Sequence, residues 1–161
     1  MRILPIAAAL ALSASPAAAQ FTPHDSTSVI RSVAALLLGR IQPWQRDSIA
    51  VLDGKGNAAL TDQLAAALNG LQRRTVPRVR ADSQKSWGVY RAAWSIDSAR
   101  LVGERPVIVA TMLTTAGSGA TPACAQFFKV GEAITLVKNG TEWRVSSFKS
   151  VSVSSGMCSA G

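Results

Sequence analysis

The stretch that decides the fold runs Ile134-Thr-Leu-Val-Lys-Asn-Gly-Thr-Glu-Trp-Arg-Val-Ser-Ser-Phe148. Apolar and polar residues alternate on both sides of Asn139-Gly140, the period of a half-buried strand. An Asn-Gly pair favours a two-residue turn whose central residues both take positive φ. Counting outward from that turn pairs Lys138 with Thr141, Leu136 with Trp143 and Ile134 with Val145. Four large apolar side chains then share one face, and Thr135 and Arg144 lie on the other, so the segment predicts an antiparallel hairpin with a buried side.

Working outward, Ala125 to Val130 and Ala133 to Lys138 read as one long strand bent at Gly131, where a glycine often marks a bulge. Downstream, the partner strand continues through Phe148 toward Val153. Upstream, from Val89, Tyr90, Ala92, Trp94 and Ile96 alternate with Arg91, Ser95 and Asp97. Val102-Gly103-Glu104-Arg105 suits a tight turn with glycine first, and Val107 to Thr115 is β-branched enough to return as a strand. Thr114 to Pro122 reads as a Gly/Ser/Thr loop.

Ahead of these strands lie two helical patterns. Asp25 and Ser26 offer N-caps for a helix that carries Val29, Ile30, Val33, Leu36, Leu37 and Ile41 on one stripe and stops before Pro43. A second helix is predicted from Ala58 to Leu71, with Asn57 as its N-cap, Leu60, Leu64, Ala67, Leu68 and Leu71 facing inward, and Asn69-Gly70 as its end signal. Ser48 to Asp53 fits either a strand or a helical turn. Leu71 to Ser86 has no period and reads as an exposed connector. The fold expected is α+β: N-terminal helices packed on a curved antiparallel sheet of about four to five strands. No fixed repeat is visible, which excludes solenoids and propellers.

The first residues predict export. Arg2, the apolar run Ile3 to Leu12 and the small residues Ala17-Ala18-Ala19 form a signal-peptide pattern of bacterial type with cleavage before Gln20. The apolar run is about half the length that crosses a bilayer. Removing 19 residues from 161 leaves 142, sized for a single domain, 20–161, in the periplasm or outside the cell. Cys124 and Cys158 fit that compartment as one disulfide across 34 positions, contributing about 3–4 kcal/mol on a chain-entropy basis. A redox or metal pair would call for Cys-x-x-Cys spacing or histidine partners, and His24 is the one histidine.

The net charge is +8; without Arg2, 16 Lys and Arg stand against 9 Asp and Glu. That surplus permits contact with anionic lipid, cell-wall polymer or nucleic acid, and export makes nucleic acid the partner not expected.

Helices first, then a meander of long antiparallel strands ending in the hairpin quoted above, resembles the nuclear transport factor two-like superfamily, whose members commonly close with a strand, a glycine turn and Glu-Trp-Arg-Val. The resemblance covers roughly Trp87 to Val153. It implies a cone, a curved sheet around the helices with a pocket at the open end, on a scaffold shared by isomerases, dehydratases and non-catalytic binding modules. Catalytic members of that class use a carboxylate base with a tyrosine-led oxyanion hole, or His/Asp pairs. Here Tyr90 is the one tyrosine, Asp97 sits on the opposite strand face, and His24 precedes the first helix, so no catalytic residue carries over.

Other motifs reduce to local structure. Gly54-Lys55-Gly56-Asn57-Ala58-Ala59 matches a loose dinucleotide fingerprint, but the chain lacks the repeating strand and helix units that build a parallel sheet, and no acid follows at about 20 residues. Lys55 and Leu64 defeat a calcium loop starting at Asp53. Ser118 lies in Gly117-Ser118-Gly119, without nucleophile-elbow spacing. Asn139-Gly140-Thr141 spells a glycosylation acceptor that the turn already explains. Trp44, Trp87, Trp94 and Trp143 read as core or pocket wall. Arg73, Arg74, Arg78, Arg80 and Lys85 form either an anion-docking loop or a solvated connector.

Two functions stay open. The first is an exported, non-enzymatic ligand-binding or accessory module, with the basic loop as a possible dock for an anionic ligand. The second is a small pocket enzyme of isomerase or dehydratase type, using Asp97 or another carboxylate with Tyr90; Tyr90, Trp94 and Asp97 are the pocket candidates. No cofactor or metal site is predicted. A homodimer through an exposed sheet face is compatible with either. An inward-facing carboxylate within hydrogen-bond reach of a donor would favour the enzyme.

Overall fold

The computed structural model describes residues 23–54, 56–80, 92–116 and 126–157. Helix α1 spans Pro23–Arg40, followed by a 3-10 helix, Pro43–Ser48. Then come β1 (Ile49–Asp53), α2 (Ala58–Gln72), β2 (Arg78–Arg80), β3 (Ala92–Val102), β4 (Arg105–Ala116), β5 (Gln126–Asn139) and β6 (Glu142–Met157). The strands form one open sheet in the order β2-β1-β3-β4-β5-β6. The α+β architecture is the expected one, with the helices ahead of a mostly antiparallel sheet.

The sheet is larger than expected because two short strands join its edge. β1 runs parallel to both β2 and β3, so Ser48 to Asp53 resolves as strand and the supposed connector holds β2. The reason is burial on both sides. Ile49 and Val51 join the main core with the helices, while Ala50 and Leu52 join a second cluster with Val79, Ala93 and Leu113. A strand covered on both faces reads as an unbroken apolar run, and periodicity is blind to it.

The helix limits also shift. α1 begins at Pro23, a residue suited to a first helical position, so Asp25 and Ser26 lie inside the first turn instead of capping it. Pro43 opens the 3-10 helix, and α1 has already stopped at Arg40. In α2, Asn57 caps as expected, its side chain accepting from the Leu60 amide at 3.1 Å. The helix ends at Arg73, which takes φ 55°, and not at Asn69-Gly70. Asn69 instead holds the exit from within the last turn: its carbonyl accepts from the Arg73 and Arg74 amides, and its side chain from the Val76 amide at 2.6 Å.

The β5–β6 hairpin forms with its register displaced from the expected one. Asn139 pairs with Glu142, Lys138 with Trp143 and Leu136 with Val145, so the turn residues are Gly140 and Thr141. Gly140 has φ 64°, and Asn139 is not in the left-handed region. The β3–β4 turn is alike, with Val102 opposite Arg105 and Gly103 at φ 62°. A turn that needs positive φ at its first central position is served by one glycine. The displacement moves the partners of Lys138 and Leu136 by two positions, and a further register shift between Thr135 and Leu136 carries the partner of Ile134 on to Phe148, so the side chains keep their expected face: Ile134 and Leu136 are fully buried, and Trp143 and Val145 pack against the same core.

Candidate functional site

Directly opposed residues in an antiparallel sheet share a face, so the pairings map the side that carries the helices. Crossing from β3 to β6, one row reads Trp94, Met112, Val130, Val153, and the next reads Ile96, Ala110, Glu132, Ser150. Flanking rows bring Thr114, Phe128 and Ser155 together on one side, and Ile108, Ile134 and Phe148 on the other. Toward β3 these residues are buried under the helices. Toward β6 they are not: Phe128 is 38% exposed, Phe148 52% and Val153 70%.

At the boundary sits a charge. Glu132, 2% exposed, lies on this inner face, where the β5–β6 register shifts next to Gly131. Arg40, the last residue of α1, donates from Nη1 to Glu132 Oε2. Its guanidinium also lies 4.9 Å from the centre of the Phe148 ring. A buried carboxylate is tolerated when paired and hydrogen-bonded in this way, and the cation over an aromatic face adds attraction. Arg40 and Glu132 were not singled out from the sequence. The available signal was Glu132 itself, a charge interrupting the apolar alternation that Ile134 and Leu136 set on that face.

Of the expected pocket residues, Trp94 and Asp97 lie on opposite faces of β3. Trp94 is wholly enclosed in the main core, and its Nε1 has no hydrogen-bond partner. Asp97 is the extra residue where the β3–β4 register shifts. It accepts from Thr111 Oγ1 at 2.7 Å and Ser95 Oγ at 3.2 Å, on the side of the sheet away from the helices. The Ile96 backbone groups face away from β4 beyond the end of the β1 pairing, and α2 satisfies them: Thr61 Oγ1 accepts from the Ile96 amide at 3.4 Å, and the Asn57 amide donates to the Ile96 carbonyl at 2.8 Å. Gly56 permits that approach, since a Cβ there would fall 2.3 Å from the Ile96 oxygen. Of the glycines in the loose dinucleotide pattern, Gly56 is thus a packing contact, while Gly54, at φ 75°, has open space around it. Tyr90, Lys85, Cys124 and Cys158 lie outside the described residues, as do the leader and the Thr114 to Pro122 loop beyond residue 116.

The arginines of the basic segment are placed in two settings. Arg74 donates to the carbonyls of Arg46 and Asp47 and lies 3.5 Å from the Asp47 carboxylate. Arg78 donates to Asp62 at 2.6 Å and approaches Asp53 at 3.8 Å. The hydrogen bond and charge of Asp62 raise the Arg78 pKa above its ordinary value, so it is a cation at any working pH. Arg73 is exposed at the end of α2, and Arg80 lies in β2.

A concavity of about 640 Å³ lies between α1 and the start of β6, lined by Thr27, Ser28, Arg31, Ser32, Glu142 and Trp143 among others. It brings hydroxyls and one charge of each sign together, without a buried carboxylate. Among the described residues no group of three or more His, Cys, Asp or Glu could hold a metal ion, and no helix is long and apolar enough to cross a membrane. Comparison with family models, with curated proteins and with solved structures finds no match to this chain.

Proposed function

We propose that this protein is an exported, non-enzymatic ligand-binding or accessory module of nuclear transport factor two-like type, and that it binds on the inner face of the sheet beyond the end of α1. The observation that carries the reading is the exposure of Phe128, Phe148 and Val153 on one face, bordered by the ion pair of the buried Glu132 with Arg40. Large apolar side chains gathered on one uncovered face mark a binding surface more often than scattered ones do. The element order, helices and then a β3 to β6 meander, supports the superfamily likeness, and the leader pattern supports export. Arg74 and Arg78 are already engaged by Asp47 and Asp62, so the inner face is better supported than the basic segment as the docking site.

Binding of the neutral apolar dye Nile red tests this. The dye should gain fluorescence on the wild-type protein with saturable binding, and the Phe148→Ser/Val153→Ser double variant should bind about tenfold more weakly at unchanged urea midpoint. Equal binding by both proteins refutes the site.

A second reading, a small pocket enzyme of isomerase or dehydratase type, is favoured by one feature: Glu132 is an inward-facing carboxylate in contact with a donor. Against it, the same carboxylate is already occupied by the Arg40 guanidinium. In D2O, an enzyme of this kind would exchange the α-proton of a bound enolisable ketone, and Glu132→Gln would abolish the exchange. The binding module leaves that proton in place.

A further inference from the structure

We infer that the concavity between α1, α2 and the start of β6 is a second binding site, and that it takes a small zwitterion. Its ligand is an α-amino acid with an apolar side chain, whose carboxylate meets Arg31 and whose ammonium meets Glu142. The site is separate from the inner face of the second half of β6, and a different observation carries it. Arg31 and Glu142 both line the concavity of about 640 Å³. Ser32 Oγ donates to the Trp143 carbonyl at 2.6 Å, and Arg31 and Glu142 are the chain neighbours of that bonded pair, each Cα about 3.8 Å from its neighbour's. The two charges thus border one opening, yet they do not pair with each other. Among the described residues Arg31 forms no ion pair, and Glu142 forms a long one, with Arg144 at 3.7 Å.

Charge complementarity selects the ligand. A simple anion would meet Arg31 and be repelled by Glu142, and a simple cation would meet the reverse, so a molecule carrying both signs fits best. The other charges nearby are engaged with Trp143: Asp25 accepts from its indole, Lys138 lies 5.6 Å from the centre of its ring, and neither lines the concavity. Thr27 and Ser28, which do line it, precede Arg31 by four and three positions and so share its helix face. Hydroxyls therefore border the seat of the carboxylate. Glu142 can hold an ammonium without releasing Arg144, because a carboxylate accepts from several donors.

The side chain follows from the adjoining space. A smaller concavity, of about 380 Å³, shares Thr27, Arg31 and Leu71 with the first and continues between α1 and α2. Ala66, Ala67, Gly70 and Leu71 give it a mainly apolar wall, with Gln63 at its side. Arg31 stands on the border of the two spaces, so an amino acid whose carboxylate it holds has its side chain beside Leu71, which is 38% exposed. Burying a leucine-sized side chain against that wall adds a hydrophobic contribution to the two ionic ones. Because both charges are exposed, each adds little and binding is weak. An uncharged apolar molecule gains from neither charge, so this site and the inner face select different ligands.

The test titrates 15N-labelled protein with leucine, glycine, isocaproate, which lacks the ammonium, and isoamylamine, which lacks the carboxylate. Leucine should give saturable shifts of the Thr27 to Ala35 amides in the millimolar range, binding about three- to fivefold more tightly than each of the other three. Arg31→Gln should weaken leucine about three- to fivefold and bind isoamylamine no more weakly than wild type does. Glu142→Gln should weaken leucine by a similar factor and bind isocaproate no more weakly. Both residues are exposed, so both variants keep the fold. Absence of a saturable shift with leucine overturns the site. Isocaproate or isoamylamine binding as tightly as leucine overturns the zwitterion, and glycine binding as tightly overturns the apolar seat. A variant that loses leucine and both singly charged analogues to the same degree overturns the role given to its charge.

Discussion

Strand β6 has two halves that differ in what lies over them. In the first, Trp143 and Val145 pack against the core, Ser32 of α1 donates to the Trp143 carbonyl at 2.6 Å, and the Trp143 indole donates to Asp25 at 3.4 Å. Helix α1 covers both the face and an outward carbonyl of the strand, a common way of protecting a sheet edge. In the second half, from Phe148 onward, the apolar side chains stand exposed. The change falls where α1 ends, at Arg40, and that residue turns its charge onto Glu132 and its plane onto Phe148. Helix length, not strand chemistry, decides which part of the sheet is core and which part stays exposed.

Substitutions that separate the halves can break that comparison. The largest effect belongs to the covered region: Leu136→Ala, which empties a fully buried site, should cost about 3 kcal/mol in urea unfolding, and a cost below about 1 kcal/mol would deny that the hairpin builds the core. At the boundary, Arg40→Met strands the buried Glu132 carboxylate and should cost about 3 kcal/mol, while Arg40→Met/Glu132→Leu should recover most of it; two equally unstable proteins would show that the pair matters for more than its charge. In the turn, Gly140→Ala should cost about 1–2 kcal/mol because φ is 64°, and Asn139→Ala should cost less than about 0.5 kcal/mol. The reverse order would restore the Asn-Gly register. The smallest effect belongs to the free region, where Phe148→Ala should change stability by less than about 1 kcal/mol, most of it through lost stacking on Arg40.

Much of the fold was legible because it rests on alternation. Ile134, Leu136, Trp143 and Val145 occupy the expected face even though the turn residues differ, since a displacement by two preserves parity. Asn57 and the register shift beside Gly131 were legible for the same local reason: each satisfies a backbone requirement that its own residue type announces. β1 was not, because both its faces are covered, and β2 was not, because it is three residues long with Val79 alone buried; the pairing partners of both are distant in sequence. The candidate site was hardly legible at all. Arg40 is one of many cations and ends a helix, a setting that dipole effects already explain. Phe128, Phe148 and Val153 read as ordinary strand residues. Among the described residues the length of α1 relative to β6 leaves them exposed, and length relative to a neighbour is a property of the assembled fold.

Photolabelling tests the central claim most directly. A decanoate ester carrying a diazirine on its tail, irradiated with the folded protein and mapped by peptide mass spectrometry, should mark residues of the second half of β6, around Phe148 and Val153, and lose that mark when Phe148 and Val153 become serine. Label concentrated instead on α1 around Thr27 to Ala35, in the concavity facing Trp143, would place binding under the covered half and contradict the account.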